Sequence, residues 1–196
     1  MSVRRNINAA LIITGLFVFF IFLPFCYSYA QDDYAEDMFF AEQESFPDNL
    51  SRADEHFNQG SILKNRGELD AAIAEYTAAI ELDSSHAKAY NNRGNVFLAK
   101  NELSLALSDF DKAIELDPTY AKAYANRGLV YANQEEYDKS IDDFTNAIEL
   151  NPTLSEVYNN RGLVFLYSGK TKAALEDFSK AIEIYPEYEN AYYNRA

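Results

Sequence analysis

"DFDKAIELDP" (109–118), "DFTNAIELNP" (143–152) and "DFSKAIEIYP" (177–186) are one phrase written three times, each copy 34 residues after the last. A weaker copy, "EYTAAIELDS" (75–84), stands one step earlier. The tripeptide Asn-Arg-Gly keeps the same step at 92–94, 126–128 and 160–162. Self-similarity at a fixed period of this size is the signature of a repeat array. Four full units follow, 53–86, 87–120, 121–154 and 155–188, and residues 189–196 begin a fifth, incomplete unit.

Each unit reads as two short helices. In unit three a first apolar or small stripe runs Ala123, Tyr124, Gly128, Val130, Tyr131, and a second runs Tyr137, Ile141, Phe144, Ala147, Ile148. Spacings of three and four place each stripe on one helix face. A turn residue separates the helices (Gly67, Asn101, Glu135, Gly169), and Pro118, Pro152 and Pro186 end the second helix, since proline lacks the donor a helix needs. Gly60, Gly94, Gly128 and Gly162 fall mid-helix. Glycine there costs about 1 kcal/mol relative to alanine, so its recurrence implies that something packs too close for a side chain. Ala72, Ala106, Ser140 and Ala174 are the matching small residues of the second helix, and Tyr76, Phe110, Phe144 and Phe178 are the large residues that fill the remaining space.

Small or aromatic residues at positions 4, 8, 11, 20, 24, 27 and 32 of a 34-residue unit resemble the tetratricopeptide repeat. The resemblance covers 53–188 and part of 189–196. It implies an all-α fold, a right-handed α-solenoid of stacked helix-turn-helix repeats, with the first helices lining a concave groove that binds protein or peptide. Position 7 departs from the family, which has leucine where this chain has Arg93, Arg127, Arg161 and Arg195. Position 23 is Asp109, Asp143 and Asp177 in the units with arginine, and Glu75 in unit one, where position 7 is Gln59. Either the arginine is solvated, or it meets that carboxylate between the helices while its stem packs like leucine. The second case predicts that Arg127→Leu is tolerated or stabilising.

By the same resemblance, positions 2, 5, 6, 9, 12 and 13 point into the groove. Position 6 is always asparagine: Asn58, Asn92, Asn126, Asn160 and Asn194. Such a column either pairs with the main chain of an extended peptide, since each amide both donates and accepts, or serves helix packing alone. Asn91, Asn95, Asn159, Lys88 and Lys122 complete the polar part of the expected site, and Leu129, Leu163, Leu166 and Tyr167 make it more apolar towards unit four. That pattern suits a peptide or helix with hydrophobic anchors. The basic side chains with which some members of the family clamp a C-terminal carboxylate are replaced here by Phe57, Asn91, Ala125 and Asn160.

With 31 acids against 17 bases the net charge is −14, which disfavours nucleic acid as a partner. One cysteine, Cys26, permits no internal disulfide, and two histidines make no metal cluster alone. No catalytic constellation stands out and no cofactor is expected; His86 reads as a loop histidine. Arg4 and Arg5 precede the apolar run "AALIITGLFVFFIFLPF" (9–25) and the small residues Ser28 and Ala30. This is the order of a secretory signal cleaved between Ala30 and Gln31, with an uncleaved membrane anchor as the alternative and lipidation at Cys26 disfavoured by bulky Phe25. Either main reading places the remainder outside the cytoplasm, in the periplasm or secreted, or facing outward from the inner membrane. Residues 31–52, with seven acids and one arginine, read as a solvated linker interrupted by "MFF" (38–40).

The resulting expectation is a non-catalytic scaffold of a bacterial-type cell envelope. Two alternatives remain open: the recruiting arm of a larger, glycosyltransferase-like enzyme, and a scaffold that self-associates through an exposed repeat edge.

Overall fold

A computed structural model describes residues 34–196 of the chain, with side chains from Asn49 onward. The signal segment and its Ala30–Gln31 junction lie outside the described residues. The chain divides into two compact units, Met1–Phe46 and Pro47–Ala196, and the repeats belong to the second. All described regular structure is helical: α1 (Tyr34–Asn65), α2 (Leu69–Leu82), α3 (Ala87–Ala99), α4 (Leu103–Leu116), α5 (Ala121–Asn133), α6 (Tyr137–Leu150), α7 (Ser155–Tyr167), α8 (Thr171–Ile184) and α9 (Glu189–Arg195). No described helix is long and apolar enough to cross a membrane.

The turn between the two helices of each unit is made by one residue in the left-handed region. Gly67 (φ +79°), Asn101 (+60°), Glu135 (+60°) and Gly169 (+77°) occupy that place in the four units. The junction from unit to unit is extended at Asp83, Asp117, Asn151 and Tyr185. In the first three junctions the side-chain oxygen accepts from the backbone N–H two residues on, at 2.9–3.1 Å, which closes the turn locally.

Packing within a unit rests on a glycine facing a ring. A Cβ built on Gly60, Gly94, Gly128 or Gly162 would stand 2.8, 2.8, 3.0 or 2.6 Å from the ring of Tyr76, Phe110, Phe144 or Phe178. The close neighbour is thus the aromatic ring of the same unit's second helix, and these four aromatics are fully buried. Ala72, Ala106, Ser140 and Ala174 are fully buried beside them, and Ser140 Oγ donates to the Gly128 carbonyl at 2.8 Å. Units stack by packing each second helix on the first helix of the next unit (α2 on α3, α4 on α5, α6 on α7, α8 on α9).

Two expectations change. Residues 34–52, read as a linker, lie within α1. Ala35, Glu36, Met38, Ala41, Glu42, Gln43 and Glu44 are strong helix formers, and acidity by itself does not oppose a helix; Pro47, which does, lies within α1 all the same. His86, read as a loop histidine, is the N-cap of α3: its Nδ1 accepts from the Ala89 N–H at 3.3 Å. Its ring packs on Phe57, with centroids 4.9 Å apart, and its side chain is 11% exposed.

Candidate functional site

The inner face of the array can be located from contacts alone. First helices touch one another (α3 with α5, α5 with α7, α7 with α9), whereas no two second helices do so among the described residues. Elements that crowd together lie inside a curve, so the first helices line the concave side. On each of them, positions 2, 6, 9 and 13 form one helical stripe, flanked by 5 and 12. The turn residues and the glycine–ring contacts fix each first helix against the second helix of its own unit.

The expected site residues divide into three groups. Asn58, Lys88 and Lys122 are exposed, as are Leu166 (43%) and Tyr167 (72%). Asn92, Asn95, Asn126, Asn160, Asn194, Leu129 and Leu163 are partly exposed. Asn91 and Asn159 are buried, at 2% and 4% exposure, and the structure withdraws both from the groove surface. Each sits between successive first helices as an acceptor: Asn126 Nδ2 donates to Asn91 Oδ1 at 2.9 Å, and Asn194 Nδ2 to Asn159 Oδ1 at 2.8 Å. Buried amides need such partners.

The asparagine column therefore alternates in role. Where the preceding unit has asparagine at position 5, the position 6 amide is engaged in packing, as at Asn126 and Asn194. Where the preceding residue is Ala125 or Phe57, no amide is available to accept. Asn160 has no side-chain hydrogen bond among the described residues, and Asn92 reaches only the Tyr76 hydroxyl, at 3.5 Å, and the Asn91 amide, at 3.3 Å. The packing reading holds at Asn126 and Asn194, while the amides of Asn92 and Asn160 are left without a partner in the preceding unit's position 5.

Positions 4, 7 and 11 face the seam between units. Arg93 donates through Nε and Nη2 to both oxygens of Asp109 at 2.8 Å, and Arg161 does the same to Asp177. Arg127 grips Asp143 at 2.7 and 2.8 Å. The forked geometry suits a planar guanidinium on a carboxylate. Each guanidinium also lies 5.6–6.0 Å from two ring centroids of its own helix: Tyr90 and Phe97, Tyr124 and Tyr131, Tyr158 and Phe165. The hydrogen bond to Asp143, opposed by burial, holds the Arg127 guanidinium above its already high ordinary pKa.

A third partner was not anticipated from the sequence. The remaining nitrogen, Nη1, reaches back to the preceding unit: Arg93 to Thr77 Oγ1 (2.9 Å), Arg127 to Asp111 Oδ1 (2.6 Å), Arg161 to Thr145 Oγ1 (2.9 Å). Every acceptor occupies position 25, and that polar recurrence (Thr77, Asp111, Thr145, Ser179) is the signal that could have revealed it. The partnership also corrects the Arg127→Leu expectation. Asp143 is buried to 4% exposure, and losing its cation would strand a buried charge.

The described residues hold no group of three or more potential metal ligands. A depression of about 390 Å³ beside Arg93 is lined by Tyr90, Ser108, Asp109, Asp111, Lys112 and Glu115; its charged groups belong mainly to the seam.

Two family models match the chain: one described as tetratricopeptide repeat, over 121–154 and 155–188, and one described as TPR repeat, over 60–101 and 94–135. No curated protein sequence matches it. Among solved structures, PilF of Pseudomonas aeruginosa aligns with a TM-score of 0.71 and 26% identity, over 75% of this chain and 67% of that one. A MamA crystal structure aligns with a TM-score of 0.63 and 27% identity, over 69% of this chain and 80% of that one. The first TPR of Spaghetti (RPAP3), bound to an HSP90 peptide, shares the fold, with a TM-score of 0.60 and 23% identity over 61% and 95% of the two chains. Helical pairs of one geometry, stacked with a concave side and matched by repeat models across 60–188, make the chain a member of the tetratricopeptide repeat family, a fold of protein-interaction scaffolds.

Proposed function

We propose that the chain binds an extended peptide or a helix of a protein partner along the concave face of its repeats, by shape, amide contacts and apolar anchors rather than by chemistry. The observation that carries this is the exposure of Leu166 and Tyr167 on the groove side of unit four, two helical turns along the same helix from the unbonded amide of Asn160. Large apolar side chains left in water on the same face as free amides are what a peptide with hydrophobic anchors covers. We place this activity outside the cytoplasm, with residues 1–30 acting as a signal or anchor, on the strength of the charged-apolar-small order of that segment.

The test is a pull-down from envelope extract with the full chain and with a variant carrying Asn92→Ala, Asn160→Ala and Tyr167→Ala. Loss of partners from a variant that keeps its helical circular dichroism supports groove binding; an unchanged partner set overturns it. Self-association is favoured by a separate observation. Leu175 on α8 is 44% exposed, while its counterparts Ile73, Leu107 and Ile141 are partly buried, and Tyr193 on α9, the next helix in sequence order, is 85% exposed. Light scattering at several concentrations separates that reading from a monomeric binder.

A further inference from the structure

The groove is not uniform in charge. The chain is strongly acidic, yet positions 5, 6, 9, 12 and 13 of its first helices carry no carboxylate in any unit. The inner stripe has Lys64, Lys88 and Lys122 in units one to three, and its acids are Asp54 and Glu156 at position 2 of units one and four. Lys100, Lys112, Lys139, Lys170 and Lys180, which lie off this stripe, all have a carboxylate within 4.0 Å. Among the described residues no such pair involves Lys64, Lys88 or Lys122, and off the stripe Lys172 alone shares that condition.

Two of these lysines also stand where a helix disfavours them. Lys88 and Lys122 lie in the first turns of α3 and α5, which contain no acid; those of α4 and α8 contain none either, α8 holding Lys172, whereas α2, α6, α7 and α9 each place an acid there. A helix N-terminus carries partial positive charge, so a first-turn lysine is repelled and an acid attracted. The same unfavourable choice in two successive units, on the groove side, with no internal partner among the described residues, points to an external anion.

The opposite end of the groove has different chemistry. Leu163, Leu166 and Tyr167 follow one another along α7, the last two exposed. From the lysines to Tyr167 is one or two unit steps of ~9 Å and most of a helix length at ~1.5 Å per residue, roughly 20–25 Å altogether. An extended chain covers that in about six to eight residues.

We infer that the ligand is an extended protein segment bearing carboxylates near one end and leucine-sized or aromatic side chains about six to eight residues away, the carboxylates at Lys88 and Lys122 and the apolar groups at Leu163, Leu166 and Tyr167. The inference rests on the groove-binding reading above and adds the ligand's charge and polarity to it. Charge complementarity identifies the occupant, because a basic segment would meet like charge in units two and three.

Fluorescence anisotropy with the full chain tests it, using labelled peptides of about twelve residues, acetylated and amidated at their ends. One has a glutamate block, a Gly-Ser spacer and Leu-Phe-Tyr; a second has the reverse order; each has a counterpart with lysines for glutamates. One glutamate order should bind about tenfold or more tightly than its lysine counterpart, and Lys88→Glu with Lys122→Glu should abolish that preference. Both lysines are exposed, so the variant keeps its fold, which circular dichroism verifies. Equal or tighter binding of the lysine peptides, or indifference to the charge reversal, overturns the inference. If all peptides bind without preference and Tyr167→Ala weakens them equally, groove binding stands and only the charge assignment fails. If no peptide binds, both fail.

Discussion

Unit one and units two to four solve the same packing problem with different polar chemistry. In all four, a mid-helix glycine faces a buried ring at nearly the same distance. In units two to four the seam is held by an arginine between two rings and two acceptors; in unit one Gln59 is exposed there and His56 Nδ1 meets Glu75 Oε2 at 2.6 Å instead. Tyr76 replaces phenylalanine and donates to Ser61 Oγ at 3.1 Å. Shape is therefore shared by every unit, and the arginine clamp is an addition confined to units that have an earlier second helix to hold. The fold depends on the first feature; the joint between units uses the second.

The largest effect that sharpens this comparison is on the shared feature. Phe110→Ala, Phe144→Ala and Tyr76→Ala should each cost about 3–5 kcal/mol by denaturant unfolding. A much smaller cost for Tyr76→Ala would break the claim that unit one packs like the rest. Next is the clamp. Asp143→Ala should cost about 3 kcal/mol, since it leaves Arg127 without its principal partner, and Arg127→Leu should be similarly costly. The double replacement Arg127→Leu with Asp143→Leu should come within about 1 kcal/mol of the parent. Removing the more exposed pair of unit one by Glu75→Ala should cost less than about 1 kcal/mol. Equal costs for Asp143 and Glu75 would contradict the division between a buried clamp and a solvated one. Hydrogen exchange resolved by helix shows whether the damage stays at the altered seam.

The smallest effects lie at the turns. Glu135 and Asn101 adopt φ +60° where Gly67 and Gly169 stand in the other units. Glu135→Gly should stabilise by up to about 1 kcal/mol, and Gly169→Ala should destabilise by a similar amount, both read from thermal midpoints. At Tyr167, exposed on the groove, alanine should change stability by less than about 0.5 kcal/mol while weakening partner capture.

The recurrences in the sequence carried more of the fold than of the site. Gly67, Asn101, Glu135 and Gly169 were legible as turns because they interrupt two helical stripes, and the mid-helix glycines because their cost implied a close neighbour. The Arg–Asp pairing was legible as two columns that change together. The burial of Asn91 and Asn159 was not, because it depends on how far one first helix is shifted against the next, a tertiary quantity that no single unit encodes. The bond to position 25 was hidden for the same reason: it joins side chains of different units. The helix over 34–52 was missed because acidity was weighed above helix propensity.

The clamp has a consequence for how such an array changes length. Thr77, Arg93 and Asp109 stand 16 residues apart in succession, as do Asp111, Arg127 and Asp143, and Thr145, Arg161 and Asp177. Each arginine draws one acceptor from behind and one from its own unit, always at the same offsets. Duplicating any stretch of 34 residues inside units two to four, wherever the copy begins, supplies every new arginine with both acceptors. The seam is thus indifferent to the breakpoint of a tandem duplication, so the array can gain or lose a repeat in one genetic event without stranding a buried charge.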